Sequence, residues 1–173
     1  MVGSANLSKK GSFLEKFKFF KNQKLERDTT DIKSVISACY NMSGTKTGAL
    51  IVIERSNNLN FVGSSGDEMN ITVTQPILES IFFKNSPLHD GAIIISNNII
   101  KATRVILPIN SDRRISGKYG LRHRAAVSIT EKTDAVAIVV SEENGIISYL
   151  KGGEFIEFSS EDEIVKLLEK DIS

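Results

Sequence analysis

The chain has 173 residues, of which 40% are hydrophobic and 25% are charged, a composition typical of one globular domain. Lysine and arginine (22) balance aspartate and glutamate (21), and the resulting net charge of +1 provides no overall field to hold a nucleic acid polymer. The single cysteine cannot form an intramolecular disulfide, and no apolar stretch reaches the roughly 20 residues of a membrane-spanning helix.

The N-terminal segment differs in composition from the rest. Residues 1–12 are rich in glycine, serine and lysine, and Phe13 to Phe20 alternates aromatic residues with lysines in a pattern that suits a short amphipathic helix with a basic face. We interpret residues 1–28 as a tag or linker remnant, either disordered or forming a short helix. Residues 29–173 are predicted to form the folded domain.

The first half of the domain predicts an alternation of helices and strands. Thr30 or Asp31 can cap a helix that ends near residues 43–44. A β-branched run at Gly48 to Glu54 predicts a strand, and the apolar run at Leu59 to Val62 predicts its hairpin return. Thr74-Gln75-Pro76 then opens a helix that extends through Phe83.

The second half continues this alternation and ends in a helix. Asn97-Asn98 favours a tight turn because asparagine tolerates positive φ. The predicted elements are strands at Ala92–Ile95 and Ile99–Ile109, a helix at Arg122–Thr130, strands at Ala135–Val140 and Gly145–Leu150, and a final helix capped by Ser160-Glu161-Asp162-Glu163. Continuous apolar runs indicate strands that are buried on both faces. The fold class is therefore α/β, with a single domain and a central mixed sheet flanked by helices.

The two histidines lie in polar clusters beside glycine and charge. His89-Asp90-Gly91 precedes a strand, where a carboxylate can orient a hydroxyl and an imidazole can ligate a divalent cation; an ordinary Asp-Gly turn is the alternative. Arg122-His123-Arg124 begins a helix, where free N–H groups and guanidinium forks suit a phosphate; a solvated basic turn is the alternative.

A third cluster follows the predicted strand at Ala135–Val140. Ser141-Glu142-Glu143 places two carboxylates at a strand end, where α/β sheets gather ligands, and they could complete a metal site. A hairpin ending in Asn144-Gly145 is the alternative. Neither a P-loop nor a dinucleotide fingerprint, paired-cysteine zinc motif or nucleophile elbow occurs in the sequence.

Four motifs in their order and spacing resemble the diadenylate cyclase domain family. They are Leu88-His89-Asp90-Gly91-Ala92, Leu107-Pro108, Gly120-Leu121-Arg122-His123-Arg124-Ala125-Ala126 and Val140-Ser141-Glu142-Glu143. The likeness runs from about residue 30 to about residue 155 and is nearest to the membrane-tethered subgroup. It implies a cytoplasmic domain whose full-length protein is anchored in the cell membrane.

The resemblance implies condensation of two ATP molecules into cyclic di-AMP and two pyrophosphates across a face-to-face homodimer, with Mn²⁺, Mg²⁺ or Co²⁺. It also implies a membrane regulator and a phosphoglucosamine mutase as partners. The implied catalytic residues are Asp90, Arg122 and His123, and the implied metal ligands are His89 and Glu143. The implied substrate-binding residues are Gly91, Ala92, Leu107, Leu121, Arg124, Ser141 and Glu142.

Two positions depart from the pattern of many relatives. Leu121 replaces a threonine, which removes one hydroxyl contact to phosphate, and Ile106 replaces a tyrosine over the adenine, which exchanges stacking for aliphatic contact. Two other functions stay open from the sequence: a module that binds nucleotide without turning it over, and a metal-dependent phosphohydrolase with linear products.

Overall fold

The fold was analysed in a computed structural model that describes residues 12–16, 18 and 29–173. Residues 12–16 and 18 are helical, with exposed Phe13 and Leu14, while the other residues of the predicted tag or linker at residues 1–28 lie outside the described part of the chain. The helices of the domain are α1 (Ile32–Gly44), α2 (Asn60–Gly63), α3 (Gln75–Phe82), α4 (Leu121–Lys132) and α5 (Glu161–Ile172). The strands are β1 (Ala49–Ile53), β2 (Asp67–Thr72), β3 (Ala92–Ser96), β4 (Ile99–Val105), β5 (Val136–Val140), β6 (Ile147–Lys151) and β7 (Glu154–Ile156).

The seven strands form one mixed sheet in the order β2-β4-β3-β1-β5-β6-β7. Strands β1 and β3 are parallel, and every other neighbouring pair is antiparallel. Every residue of the central strands β1, β3 and β5 is buried, as their uninterrupted apolar sequences predict for strands covered on both faces. The α/β class with a central mixed sheet is therefore confirmed.

Two hydrophobic cores lie on opposite faces of the sheet. Helices α1, α3 and α5 contribute to one core, and α2 and α4 contribute to the other. Local caps position these helices: Asp31 accepts from the Ser34 N–H at the start of α1, and Thr74 accepts from the Ile77 N–H at the start of α3. Both caps satisfy donors that have no partner within their helix.

Three predictions about local structure need correction. Leu59 to Val62 is not a strand, because these residues enter the short helix α2 and bury Leu59 and Val62 three positions apart while Phe61 stays exposed. Strand β4 ends at Val105 instead of continuing to Ile109. Ser160 caps α5 as predicted, because its hydroxyl oxygen accepts from the N–H of Glu163, but the Glu163 carboxylate accepts from the N–H of Ser159, one residue before the N-cap, and so the reciprocal bond of the capping box is displaced.

Among the residues that the structure describes, no helix combines the length and the apolar character needed to cross a membrane.

Candidate active site

The segments predicted to carry chemistry meet at one edge of the sheet. The β3 start faces the β4 end through the pair Ala92 and Val105, and the β1 start faces the β5 end through Ala49 and Val140. Since β1 and β3 are parallel, their starts and the ends of β4 and β5 share this edge. The topology thus brings the loops after residues 88, 105 and 140 together with the start of α4.

A cavity of about 500 Å³ opens at this edge. Its apolar lining comes from Leu50, Val105, Ile106, Leu107, Ile109, Leu121, Ala125 and Val140, and its polar lining from His89, Asp90, Lys118, Arg122, His123, Ser141, Glu142 and Glu143, with Gly91 and Gly120 completing the wall. An apolar lining suits a planar base, and charged groups suit a polyphosphate.

Ten of the twelve predicted site residues line this cavity. They are His89, Asp90, Gly91, Leu107, Leu121, Arg122, His123, Ser141, Glu142 and Glu143. Ala92 and Arg124 are outside the cavity lining: Ala92 is fully buried in the core and Arg124 is half-buried on α4. Ile106, at the second departure from the family pattern, also lines the cavity and is exposed.

The Arg122 guanidinium is held between a carboxylate and a glycine. Its Nη1 lies 3.4 Å from Glu142 Oε2, which is longer than a strong charge-assisted hydrogen bond. Its Nε is buried and has no hydrogen-bond partner among the described residues. Since a guanidinium has five N–H donors and Glu142 engages it only through Nη1, the terminal nitrogens retain donors for an acceptor that enters the cavity.

Gly48 leaves the space that this guanidinium occupies. A Cβ at position 48 would lie 2.6 Å from Arg122 Nη1, which is closer than real Cβ contacts allow, and 3.1 Å from Glu142 Cβ, which is a tight contact. Sequence reasoning missed Gly48 as a site residue. The available signal was a glycine directly before a buried strand, which often marks a close approach by another group.

His89 and Asp90 form a second pair at the cavity. His89 Nδ1 lies 2.6 Å from the carbonyl oxygen of Ser86, and because a carbonyl only accepts, this nitrogen carries the proton. His89 Nε2 lies 3.3 Å from Asp90 Oδ1. Two atoms with lone pairs then face each other, an arrangement that suits a cation nearby.

The next residue, Gly91, must be glycine for a backbone reason. It adopts a φ of +78°, and a Cβ there would meet the backbone of Arg104 and Val105 at 2.8 Å. Gly91 therefore fixes the direction in which the chain carries Asp90 away from β3.

His123 lies in an aromatic cluster at the start of α4. Its ring centroid is 5.0 Å from that of Tyr119 and 6.3 Å from that of Phe155. Burial lowers the pKa of His123 below its usual 6.5, and the charge of Arg122 lowers it further. The imidazole is therefore neutral near pH 7 and can donate only one hydrogen bond, so the positive charge that this helix start presents to the cavity comes from Arg122 and not from His123.

A mixed α/β sheet whose strand ends border a cavity lined by both apolar and charged side chains fits the class of nucleotide-binding domains. The sequence profile of the family described as DisA bacterial checkpoint controller nucleotide-binding matches residues 36–155. The chain belongs to this family, the diadenylate cyclase domain family, and membership implies the use of a divalent cation in general.

Relatives and solved structures agree with this assignment. The chain is 42% identical over 119 residues to diadenylate cyclase CdaS of Bacillus thuringiensis, covering 69% of this chain and 59% of the relative. It is 40% identical over 141 residues to a diadenylate cyclase of Listeria monocytogenes, covering 82% and 52%. The crystal structure of a double mutant of DacA from Staphylococcus aureus matches with a TM-score of 0.77 and 38% identity, covering 81% of this chain and 93% of that one.

The structure of a hypothetical membrane spanning protein from Bacillus cereus matches with a TM-score of 0.71 and 40% identity, covering 76% of this chain and 65% of that one. The chain spans between half and three fifths of the length of the curated relatives described above.

Proposed function

We propose that this domain condenses two molecules of ATP into cyclic di-AMP and releases two pyrophosphates. The observation that carries the proposal is the convergence of Asp90 and Arg122 on one cavity, although 31 residues lie between them in the sequence. Family membership supports the same reaction. The cavity of about 500 Å³ suits one nucleotide, and a cyclic dinucleotide needs two, so each domain supplies half of the reaction.

The two kinds of lining would orient the nucleotide. The adenine would pack on the apolar lining, beside Leu107, and Ile106 would contact it through an aliphatic side chain in place of an aromatic one. The phosphates would lie toward Arg122 at the start of α4, whose unpaired donors suit an anionic oxygen. Leu121 offers no side-chain hydrogen bond there, so backbone N–H groups would make the remaining contacts.

Asp90 is the proposed general base. Its side chain is 84% exposed, so the 3′-hydroxyl of a nucleotide held by a facing domain can reach it. The 3′-oxygen attacks the α-phosphorus of the other nucleotide, the bond to pyrophosphate breaks, and the hydroxyl proton passes to the Asp90 carboxylate. Arg122 stabilises the charge that develops on the phosphoryl oxygens, while neutral His123 donates one hydrogen bond.

The ligand atoms that the protein offers at the cavity suit a divalent cation that takes only a few of its ligands from the protein. His89 Nε2 and Glu143, which line the same cavity, would hold the cation, and Asp90 Oδ1, 3.3 Å from His89 Nε2, would lie beside it and take the hydroxyl proton. Within the described part of the chain no group of three or more such side chains is placed to hold a metal, so phosphate oxygens and water would complete the coordination. The bound cation, Mn²⁺, Mg²⁺ or Co²⁺, would neutralise phosphate charge.

The reaction requires two copies of this domain facing each other, so that each 3′-hydroxyl lies in line with the other α-phosphorus. Dilution tests this requirement. We expect activity to rise faster than linearly with protein concentration in the dilute range, where dimers dissociate. Activity that stays strictly proportional to concentration, at dilutions where the protein elutes as a monomer, contradicts the requirement.

Mass spectrometry of the nucleotide products tests the reaction itself. The protein is incubated with ATP and each of Mn²⁺, Mg²⁺ and Co²⁺ in turn. Cyclic di-AMP together with pyrophosphate is the expected result. Linear mono- or dinucleotides would instead identify a phosphohydrolase, and unchanged ATP with measurable binding would identify a nucleotide-binding module without turnover.

We also propose that the natural protein holds this domain on the cytoplasmic side of the cell membrane, near a membrane regulator and a phosphoglucosamine mutase. Support comes from the family resemblance and from the Bacillus cereus match, which is described as a hypothetical membrane spanning protein. Fractionation of host cells tests the location: we expect the domain in the membrane fraction, and recovery only in the soluble fraction contradicts it.

A further inference from the structure

The loop before α4 is fastened to the domain next to the cavity. Arg113 lies 3.0 Å from Glu131 on α4 and 2.9 Å from Glu154 on β7. Tyr119 stacks on Phe155 of β7 with the ring centroids 4.5 Å apart. These contacts hold both ends of the loop segment 113–119. Because Lys118 lies within this segment, its backbone position is set by the contacts of Arg113 and Tyr119.

Lys118 lines the cavity and packs against the ring of Tyr119, which serves as its platform. Its side chain lines the cavity, and its ammonium nitrogen lies 4.9 Å from the centroid of the Tyr119 ring. A cation over an aromatic face is held electrostatically. No carboxylate in the described residues forms a salt bridge with this ammonium.

The charges that line the cavity indicate which kind of ligand this lysine can bind. Three carboxylates line the cavity, Asp90, Glu142 and Glu143, and the only fixed cations among its described lining residues are Lys118 and Arg122. Part of the charge of Arg122 is offset by Glu142 at 3.4 Å. With three carboxylates and two cations the lining is net negative even when Lys118 is counted, so an entering polyphosphate depends on the cations that no carboxylate neutralises, and the ammonium of Lys118 is one of them.

We propose that Lys118 binds the polyphosphate tail of the nucleotide, and that the stacked Tyr119 is a positioning residue that holds Lys118 for this contact. The assignment rests on the proposed function for the identity of the substrate, but its chemistry needs only a nucleoside triphosphate in this cavity. The Tyr119 platform and the cavity lining become apparent only in the folded chain.

Calorimetric binding measures this role without turnover. The probes are an ATP analogue with a methylene group between the α- and β-phosphorus, AMP, and inorganic tripolyphosphate, each with Mg²⁺ and the full chain. Lys118→Gln is expected to weaken binding of the analogue and of tripolyphosphate about tenfold, because one charge-assisted contact is lost. Binding of AMP should weaken less than twofold. Lys118→Arg is expected to restore binding, and Lys132→Gln, at the exposed end of α4, is the matched control.

The platform has its own pair of variants. Tyr119→Phe keeps the ring and is expected to bind the analogue like the wild type, whereas Tyr119→Leu removes the aromatic face and weakens it severalfold. A thermal melt of each variant confirms that the chain is folded.

Three outcomes decide the proposal. If Lys118→Gln binds the analogue within twofold of the wild type, or loses AMP and the analogue equally, the proposal is wrong. If the wild type binds neither triphosphate probe, both this proposal and the proposed function are wrong. If binding depends on Lys118 but ATP yields no cyclic product, the proposed reaction fails and the polyphosphate contact stands.

Discussion

Gly48→Ala tests whether the position of the Arg122 guanidinium matters for the chemistry. The added Cβ would lie 2.6 Å from Nη1 of Arg122 and 2.9 Å from its Cζ. These two closest atoms belong to the end of a long side chain, which can move away, and the Glu142 Cβ at 3.1 Å must yield by only a few tenths of an ångström. Gly48 has no left-handed φ, so alanine fits the backbone there. The substitution therefore displaces the guanidinium and leaves the fold in place.

The size of the displacement follows from the contact distance. Ordinary van der Waals contact begins at 3.4 Å, so the 2.6 Å approach requires Nη1 to move by about 0.8 Å. A misplacement of about 1 Å at a reacting group costs on the order of 100-fold in rate. We expect kcat/KM for ATP to fall by about that factor, while the free energy of unfolding changes by less than about 1 kcal/mol.

The assay compares cyclic di-AMP formation and urea unfolding for three proteins: the wild type, Gly48→Ala and Gly44→Ala. Gly44 is the matched control because a Cβ there has no atom within 4 Å. Gly48→Ala with normal stability and wild-type kcat/KM would refute the role assigned to the Arg122 position. If Gly48→Ala unfolds, Arg122→Lys provides the second test, because it keeps the positive charge and replaces the planar guanidinium with an ammonium group.

Three further predictions concern stability. Burial and, to a lesser extent, the charge of Arg122 lower the pKa of His123 in the folded chain, so the unfolded chain takes up a proton near pH 6.5 that the folded chain does not. The free energy of unfolding should therefore fall as the pH drops below about 6.5. Urea titrations at pH 7.5 and 5.5 should show a smaller fall for His123→Gln than for the wild type. An equal drop in both proteins contradicts this. Gly91→Ala should lose about 2 kcal/mol or more, because it combines a left-handed φ with backbone contacts at 2.8 Å; an unchanged melting temperature contradicts this. Tyr149→Phe removes a hydroxyl that donates to Asp171 but leaves the Lys151 contact with that carboxylate, so it should cost about 1 kcal/mol and leave the rate of cyclic di-AMP formation unchanged; a reduced rate would contradict its separation from the site.

The central strands and the helix caps were predictable because their signals are local. Uninterrupted apolar runs predict β1, β3 and β5, and all of their residues are buried. The Asn97-Asn98 turn was also predictable, since both residues adopt positive φ. Each of these features depends on a few neighbouring residues and little on the rest of the chain.

Elements with weak local patterns were missed or misread. Strand β2 reads Asp-Glu-Met-Asn-Ile-Thr and lies at the sheet edge with alternating partial burial, so no apolar run marks it. In the run Leu59 to Val62 the buried residues are three positions apart, a helical spacing that four residues are too few to distinguish from a strand. Strand β2 forms because it pairs with β4 as an outer strand of the sheet, and α2 forms because the core buries Leu59 and Val62.

The candidate site shows the same division between local motifs and distant contacts. The clusters at residues 89–91, 122–124 and 141–143 could be predicted as motifs, and most of their residues line one cavity. The partners of Gly48 and of Tyr119 could not, because a glycine before a strand signals only that some group approaches closely, and both Arg122 and Phe155 lie far away in the sequence. Only the strand order brings these partners together.

Asp90→Asn gives the most direct test of the shared cavity and its chemistry. This change keeps the size of the side chain but removes the carboxylate that would take the proton of the 3′-hydroxyl, and a general base contributes about 10² to 10⁴ in rate. The measurement is cyclic di-AMP formed from ATP and Mn²⁺, followed by chromatography, beside the calorimetric Kd for ATP. We predict that product formation falls at least 100-fold while the Kd stays within about threefold of the wild type; turnover at the wild-type rate would contradict the account.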